Sequence, residues 1–393
     1  MTGNEALVKV AGAIAEIAAA DWDRCANPAG LPYDPFISHA FLRALEDADT
    51  VNRRTGWVPQ HLALEERGLV TGVMPLYVKG HSKGEYIFDY GWADAFERAG
   101  GSYYPKLQCA VPFTPVPGRR LLAGNDEGHT ERERMLLAAA IELAKRHSLS
   151  SVHITFCTED QWALAGDAGL LQRTDKQFHW HNQGYKTFDD FLSTLSSRKR
   201  KTIRRERAQA IESGLVIERI TGSDITEAHW DAFFRFYMDT GGRKWGRPYL
   251  NRAFFSELGR SMPDRCLLIM ARRGERYVAG ALNLAGSDCL YGRYWGATEH
   301  LPFLHFEVCY YQAIEHAIER GLPRVEAGAQ GEHKLARGYM PTPTYSVHWI
   351  ADAGFRKAVA RYLDDERRYM AQEREALASY GPYKRLSADE VAD

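Results

Sequence analysis

AIELAKRHSLSSVHITFC, residues Ala140–Cys157, and AIEHAIERGLPRVEAGAQ, residues Ala313–Gln330, carry one pattern twice. Aligned without a gap, six of the eighteen positions are identical: Ala140/Ala313, Ile141/Ile314, Glu142/Glu315, Ala144/Ala317, Leu149/Leu322 and Val152/Val325. Each stretch reads as the end of an amphipathic helix, a tight turn and a short strand. A second echo lies upstream of each. VTGVMPL, Val70–Leu76, resembles VAGALNL, Val278–Leu284, and each is the return strand of a hairpin. The two echoes have different offsets, so the repeat is divergent and carries insertions. Two echoes in the same order point to one supersecondary unit used twice.

Working outward, each half reads helix, hairpin, strand, helix, strand, an order that makes a mixed α/β fold. In the first half, Ser38 N-caps a helix through Leu45. His61–Leu64 and Leu69–Leu76 form a hairpin around residues 65–68. Tyr86–Tyr90 reads as a strand, and Gly91–Pro117 as a long aromatic, proline-rich loop. Thr130 opens a helix through His147, and Val152–Cys157 and Phe178–Asn182 follow as strands. In the second half, helices are expected over 187–195 and from Ser196 to Ser213, with Gly214 at the C′ position. Leu215–Ile220 is a strand, with helices over 226–239 and 248–260. Leu267–Ala271 pairs with Tyr277–Leu284, and Cys289–Trp295 is a third strand. A helix over Phe306–Arg320 leads to strands at Val325–Ala327 and Tyr345–Ile350. A charged helix over 352–380 closes the chain. The expected boundaries are an N-terminal domain, 1–182, a C-terminal domain, 183–350, and a C-terminal helix, 351–393, packing back on both.

A chain of 393 residues is long enough for two ordinary cores, and 45% hydrophobic with 26% charged content is that of a globular protein. The formal net charge of −1 gives no global pull toward nucleic acid or membrane. The six cysteines form no CxxC pair and read as reduced thiols, which with the missing signal peptide points to the cytoplasm. No run approaches the eighteen apolar residues of a membrane span.

Three stretches carry chemistry. Arg198–Arg207 (RKRKTIRRER) opens a helix with seven basic residues, where the helix dipole disfavours cations unless an anion is bound. Arg198, Arg200, Lys201, Arg204 and Arg205 are candidates for binding phosphate; the plain alternative is a solvated basic face. Duplex DNA is not expected, because no DNA-binding module accompanies the patch. Next come Gly292–Gly296 (GRYWG) and His305–Glu307 (HFE), an aromatic strand leading to a helix start. Arg293, Tyr294, Trp295, His305 and Glu307, with Trp92, are candidates to line a substrate pocket. Last, Glu326–Arg337 (EAGAQGEHKLAR) leaves a strand through a glycine-rich loop, a common ligand position in α/β folds. Glu326 and His333 are candidate general bases, Lys334 and Arg337 candidate oxyanion stabilisers, and Gln330 a substrate contact. Against each stands the alternative of a simple surface ion pair. His305, Glu307, Glu332 and His333 lack a familiar metal spacing, so no metal is expected.

YPKLQ (Tyr104–Gln108) with VPFTPV (Val111–Val116), GRYWG, FLHFE (Phe303–Glu307) and GAQGEHK (Gly328–Lys334) resemble the FemAB-like family of bacterial N-acyltransferases. The resemblance runs from about Phe36 to Ile350. It implies two tandem GNAT-like acyltransferase modules, each a mixed, mostly antiparallel sheet flanked by helices, with a cleft between them. Fem transferases move an amino acid from aminoacyl-tRNA to the amine of a peptidoglycan precursor, whereas GNAT enzymes use acyl-CoA. The GNAT pyrophosphate loop, R/Q-x-x-G-x-G/A, is absent: PGRRL (Pro117–Leu121) and ATEHLP (Ala297–Pro302) stand in its place. The resemblance therefore implies an N-acyltransferase with no tightly bound cofactor. Its donor would be acyl-CoA or aminoacyl-tRNA, and its acceptor a small amine or muropeptide. The alternative is a non-catalytic binder of a peptidoglycan fragment, tRNA or another phosphorylated ligand.

Overall fold

The computed structural model describes residues 6–87, 89–212, 214–245, 248–328 and 331–384, excluding the side chains of 243–245 and 332. The chain forms two compact units, neither contiguous in sequence. Unit 1 comprises Met1–Asp175, Tyr249–Met262 and Pro343–Ala371; unit 2 comprises Lys176–Pro248, Pro263–Thr342 and Gln372–Asp393.

The first seven strands are β1 (Ala6–Ala11), β2 (Trp57–Pro59), β3 (His61–Glu66), β4 (Leu69–Met74), β5 (Tyr77–Lys79), β6 (Lys106–Cys109) and β7 (Ser151–Cys157). The next six are β8 (Leu171–His181), β9 (Val216–Thr221), β10 (Cys266–Arg273), β11 (Arg276–Ala285), β12 (Cys289–Ala297) and β13 (Arg324–Glu326), and the last is β14 (Met340–Ile350). The helices used below are α1 (Ala19–Ala26), α2 (His39–Asp47), α3 (Tyr90–Arg98), α4 (His129–Arg146), α5 (Glu159–Asp167), α6 (Phe188–Thr194), α7 (Ser197–Glu212), α8 (Glu227–Trp245), α9 (Arg252–Ser261), α10 (Leu304–Phe306), α11 (Gln312–Glu319) and α12 (Ala353–Ser379).

Unit 1 holds a small sheet, β1-β3-β4, and a second sheet in the order β2-β5-β6-β7-β14. Unit 2 runs β8-β13-β12-β11-β10-β9. The expected mixed α/β fold, mostly antiparallel and flanked by helices, is present. In unit 1, β5 and β6 are antiparallel, β6 and β7 parallel, and β7 and β14 antiparallel. In unit 2, β11, β12, β13 and β8 repeat that sequence of pairings. The repeat is visible at single residues: Val152 pairs with Leu107 and its counterpart Val325 with Leu290, each in a parallel pair.

The closing strands are exchanged. β8 follows β7 in the chain, yet its residues His179–His181 pair with β13 in unit 2. β14 follows β13, yet its residues Tyr345–Ile350 pair with β7 in unit 1.

The upstream echo behaves differently in the two units. The β3–β4 hairpin turns through Arg67 and Gly68, both at positive φ. It ends at Met74 because Pro75 has no N–H to continue the ladder. Its counterpart in unit 2 is Asn283, and there β11 runs on to Ala285 with a bulge.

Two expectations fail in unit 1. Among the described residues of Tyr86–Tyr90 no strand forms: Tyr86 and Ile87 lie in a bend and Tyr90 starts α3. Glu85 and Asp89 fold instead over the buried Lys106, whose Nζ lies 2.8 Å from Glu85 Oε2 and 2.5 Å from Asp89 Oδ2. Nor is Gly91–Pro117 a loop throughout, since it holds most of α3 and all of β6. Trp92, Ala93 and Tyr103 pack with Ile350 of β14 and with Val359 and Leu363 of α12. α5 was not expected from the sequence at all. α9 belongs to unit 1, where Phe254 meets Phe41 of α2 edge-on at 5.9 Å and Asn251 Nδ2 donates to Ala48 O.

Unit 2 encloses one apolar core from Phe178 to Tyr339. Thr187 and Asp190 form a capping box that fixes the start of α6. α7 buries Ile203, Glu206 and Ala210, leaving Arg198, Lys201, Arg204 and Arg205 exposed. Between α10 and α11, Glu307–Tyr311 forms a π turn. The cysteines are free; five are buried and Cys309 is partly exposed.

Candidate active site

β12 and β13 pair at three positions only: Cys289 with Arg324, Leu290 with Val325 and Tyr291 with Glu326. β13 ends there while β12 continues to Ala297. A pocket of about 80 Å³ occupies the opening, bounded by Gly292, Arg293, Tyr294 and Trp295 of β12, Ala281 and Asn283 of β11, and Ala327 after β13. His305, Cys309 and Tyr310 close it from the helical side. Such a volume suits a reacting group rather than a whole donor molecule.

Arg293 and Glu326 are almost wholly buried and form an ion pair of 2.7 Å. Arg324 lies 3.6 Å from the other Glu326 oxygen. Burial alone would raise the Glu326 carboxyl; His179, Arg293 and Arg324 outweigh it and hold the group below the usual range. Burial pushes His179 itself down to about 4, so at neutral pH the two arginines do this work.

His333 is exposed, and its Nε2 lies 2.8 Å from the Tyr310 hydroxyl. Its ring also sits 5.9 Å from that of His305, which packs 5.2 Å from Trp295. Lys334 is buried and donates to Gly328 O at 2.8 Å. Burial first, then repulsion from Arg293, pushes its ammonium pKa down to about 7. Arg337 lies 3.4 Å over the Phe306 ring, donates to His333 O at 2.7 Å, and pairs with the buried Glu206 of α7 at 2.8 Å. Tyr311 donates to the same Glu206 carboxylate. α7 is thereby fixed to the loop that carries His333.

Of the residues read from the sequence, Arg293, Tyr294, Trp295 and His305 line the pocket, Glu326 is joined to it through Arg293, and His333 through Tyr310. Glu307 is buried and accepts two hydrogen bonds from Arg207. Trp92 is a core residue of unit 1, edge-on to His348 at 4.9 Å. Gln330 lies outside the described residues. On α7, Arg198, Lys201, Arg204 and Arg205 are exposed and Arg200 is half-buried. Arg204 pairs with Asp189 at 2.9 Å. Among the described residues, Arg198, Lys199, Arg200, Lys201 and Arg205 form no ion pair, so this helix start keeps its positive charge uncompensated.

Asn283, Cys309 and Tyr310 were missed. The one available signal was a lone amide in the apolar run of β11. No group of three metal-ligating side chains occurs among the described residues, and no described helix is long and apolar enough to cross a membrane.

Solved structures share the fold at low identity. FemX matches with a TM-score of 0.50 and 14% identity over 80% of this chain and 93% of its own. The C-terminal domain (DUF2156) of a proposed lysylphosphatidylglycerol synthetase from Agrobacterium fabrum gives 0.53 and 10% over 90% and 97%. L-PGS from Bacillus licheniformis gives 0.50 and 10% over 85% and 98%. No curated protein matches the chain. The FemAB-like family model, described as peptidoglycan biosynthesis/recognition, matches residues 13–385, and the chain belongs to that family.

Proposed function

We propose that the protein is an N-acyltransferase acting at the unit 2 pocket, moving an acyl or aminoacyl group to the amine of a peptidoglycan precursor. The observation that carries this reading is the Tyr310–His333 hydrogen bond at the edge of a pocket opened by two parting strands. The acceptor nitrogen attacks the carbonyl carbon of an ester or thioester. A C–N bond forms, the C–O or C–S bond breaks, and the leaving oxygen or sulfur departs as alcohol or thiol after taking up a proton. The amine loses its proton through the Tyr310 hydroxyl to His333 Nε2. Glu326 is the weaker candidate for that step, because it is held ionised in a buried pair and its carboxyl is a poor proton acceptor.

Lys334 supplies positive charge near the reacting carbonyl. A developing oxyanion favours its charged form and offsets the burial that disfavours it. The unpaired cations of α7 favour a donor rich in phosphate, either aminoacyl-tRNA or acyl-CoA.

The test is to offer acetyl-CoA and aminoacyl-tRNA separately, each with UDP-linked muropeptide, and to analyse the product by mass spectrometry. An N-acylated muropeptide that disappears with His333→Ala supports the reading. Muropeptide binding with no product from either donor replaces it with recognition alone.

A further inference from the structure

β11 and β12 are out of step at one point. Leu282 pairs with Tyr294 but Asn283 pairs with Gly292, so Arg293 is the extra residue of a bulge. The bulge brings Asn283 opposite a glycine. Asn283 is 1% exposed and lines the pocket. Its Nδ2 is directed at Leu267 O, 3.5 Å away. Its Oδ1 accepts no hydrogen bond among the described residues. A buried acceptor left in that state is destabilising, so the arrangement calls for a donor.

Gly292 defines where the donor comes from. A side chain there would place its Cβ 3.1 Å from Asn283 Oδ1, 3.4 Å from the Glu326 carbonyl oxygen and 3.9 Å from Ala327 Cα. Two acceptor oxygens therefore flank the space over one glycine, beside a pocket that Asn283, Gly292 and Ala327 all line.

We propose that this is the seat of the acceptor nitrogen and that Asn283 is a substrate-positioning residue. A neutral primary amine has two hydrogens and one lone pair. One hydrogen goes to Asn283 Oδ1, the other to Glu326 O, and the lone pair is left for attack; once the C–N bond forms, the nitrogen is cationic and the hydrogen released from Glu326 O is the one that passes to the Tyr310 hydroxyl. A hydroxyl has only one hydrogen to give, so the site selects primary amines over alcohols. The proposal rests on the acyl-transfer reading and adds to it the group that chooses the nucleophile.

The probe is 2,2,2-trifluoroethylamine, which is weakly basic and uncharged at pH 7.5, with trifluoroethanol as its one-hydrogen counterpart. Both are titrated by ¹⁹F NMR. Wild type should bind the amine about tenfold more tightly than the alcohol, the worth of one good hydrogen bond. Asn283→Leu should erase that difference with the alcohol unchanged. Asn283→Asp, which keeps an oxygen there, should retain it. Gly292→Ala should abolish binding of both, and its own thermal unfolding midpoint serves as the folding control. An amine preference that survives Asn283→Leu overturns the role of Asn283 while leaving acyl transfer intact. No amine preference in wild type overturns the seat itself. Acyl transfer fails separately, in the product assay. Should Asn283→Leu not fold, loss of the preference in Asn283→Asp sinks the proposal equally.

Discussion

The Tyr310 hydroxyl and His333 Nε2 are 2.8 Å apart, joining a residue of the π turn to one on the loop after β13. Tyr310 faces the pocket and His333 faces outward, so the pair bridges a closed space and the surface. Replacing His333 with Ala should lower kcat by roughly 10²–10⁴-fold, the usual share of a general base. The thermal midpoint should hold, because an exposed ring is removed. Tyr310→Phe should lower kcat with little change in KM. Turnover at the wild-type rate in the His333 variant removes it from the reaction.

Lys334 makes stability depend on pH. Its folded pKa of about 7 lies below the ordinary 10.5. Between those values the unfolded chain holds a proton that the folded protein lacks, so stability rises with pH across that window. The penalty is complete below pH 7 and fades toward pH 10.5. Lys334→Met should therefore raise the melting temperature more at pH 6.5 than at pH 10. An equal gain at both would mean the amine titrates normally.

Glu326 and Arg293 form a buried pair, and removing one partner strands the other's charge. Glu326→Gln should cost about 3–5 kcal/mol in urea unfolding. Glu326→Leu combined with Arg293→Met should cost less than either single change. Additive losses would show that the two charges do not support each other.

Gly296 sits where α8 crosses β12. A Cβ there would lie 2.0 Å from the Phe236 carbonyl oxygen. Gly296→Ala should destabilise by about 1–3 kcal/mol or more and lower the melting temperature by several degrees. Gly292 and Gly296, four residues apart in one motif, thus do different work: the first leaves room in a pocket, the second lets a helix approach.

The α7 cations predict a salt-dependent ligand. Lys201→Glu with Arg205→Glu should weaken tRNA binding and reduce the slope of log K against log salt by about 2, with the melting temperature nearly unchanged. An unaltered slope would mean those two side chains touch no phosphate.

The duplicated helix–turn–strand was legible in the sequence because its helix period and its parallel strand recur with the same residues. The hairpin turns and the Ser38, Thr187 and Asn251 caps follow from local chemistry, and Ser38 lies where the sequence put it. Tyr86–Tyr90 was misread because its apolar residues suggested a strand, whereas Glu85 and Asp89 are held by a lysine some twenty residues later in the chain. The pocket residues of GRYWG were legible from glycine and aromatic content. Asn283 was not, because only the bulge and the absent Gly292 side chain give its amide meaning. Tyr310 was hidden by the π turn, which shifts a helical face by one residue.

The traded strands have a genetic consequence. A gene divided between codons 182 and 183 would encode a first fragment in which β7 lacks β14, and a second in which β13 lacks β8. Each would expose a raw sheet edge, a template for aggregation. Such fragments should be recovered in native form only when co-expressed. Recombination that inherits one copy of the duplication without the other therefore yields no working protein, and the ancestral doubling is locked in place by its own topology.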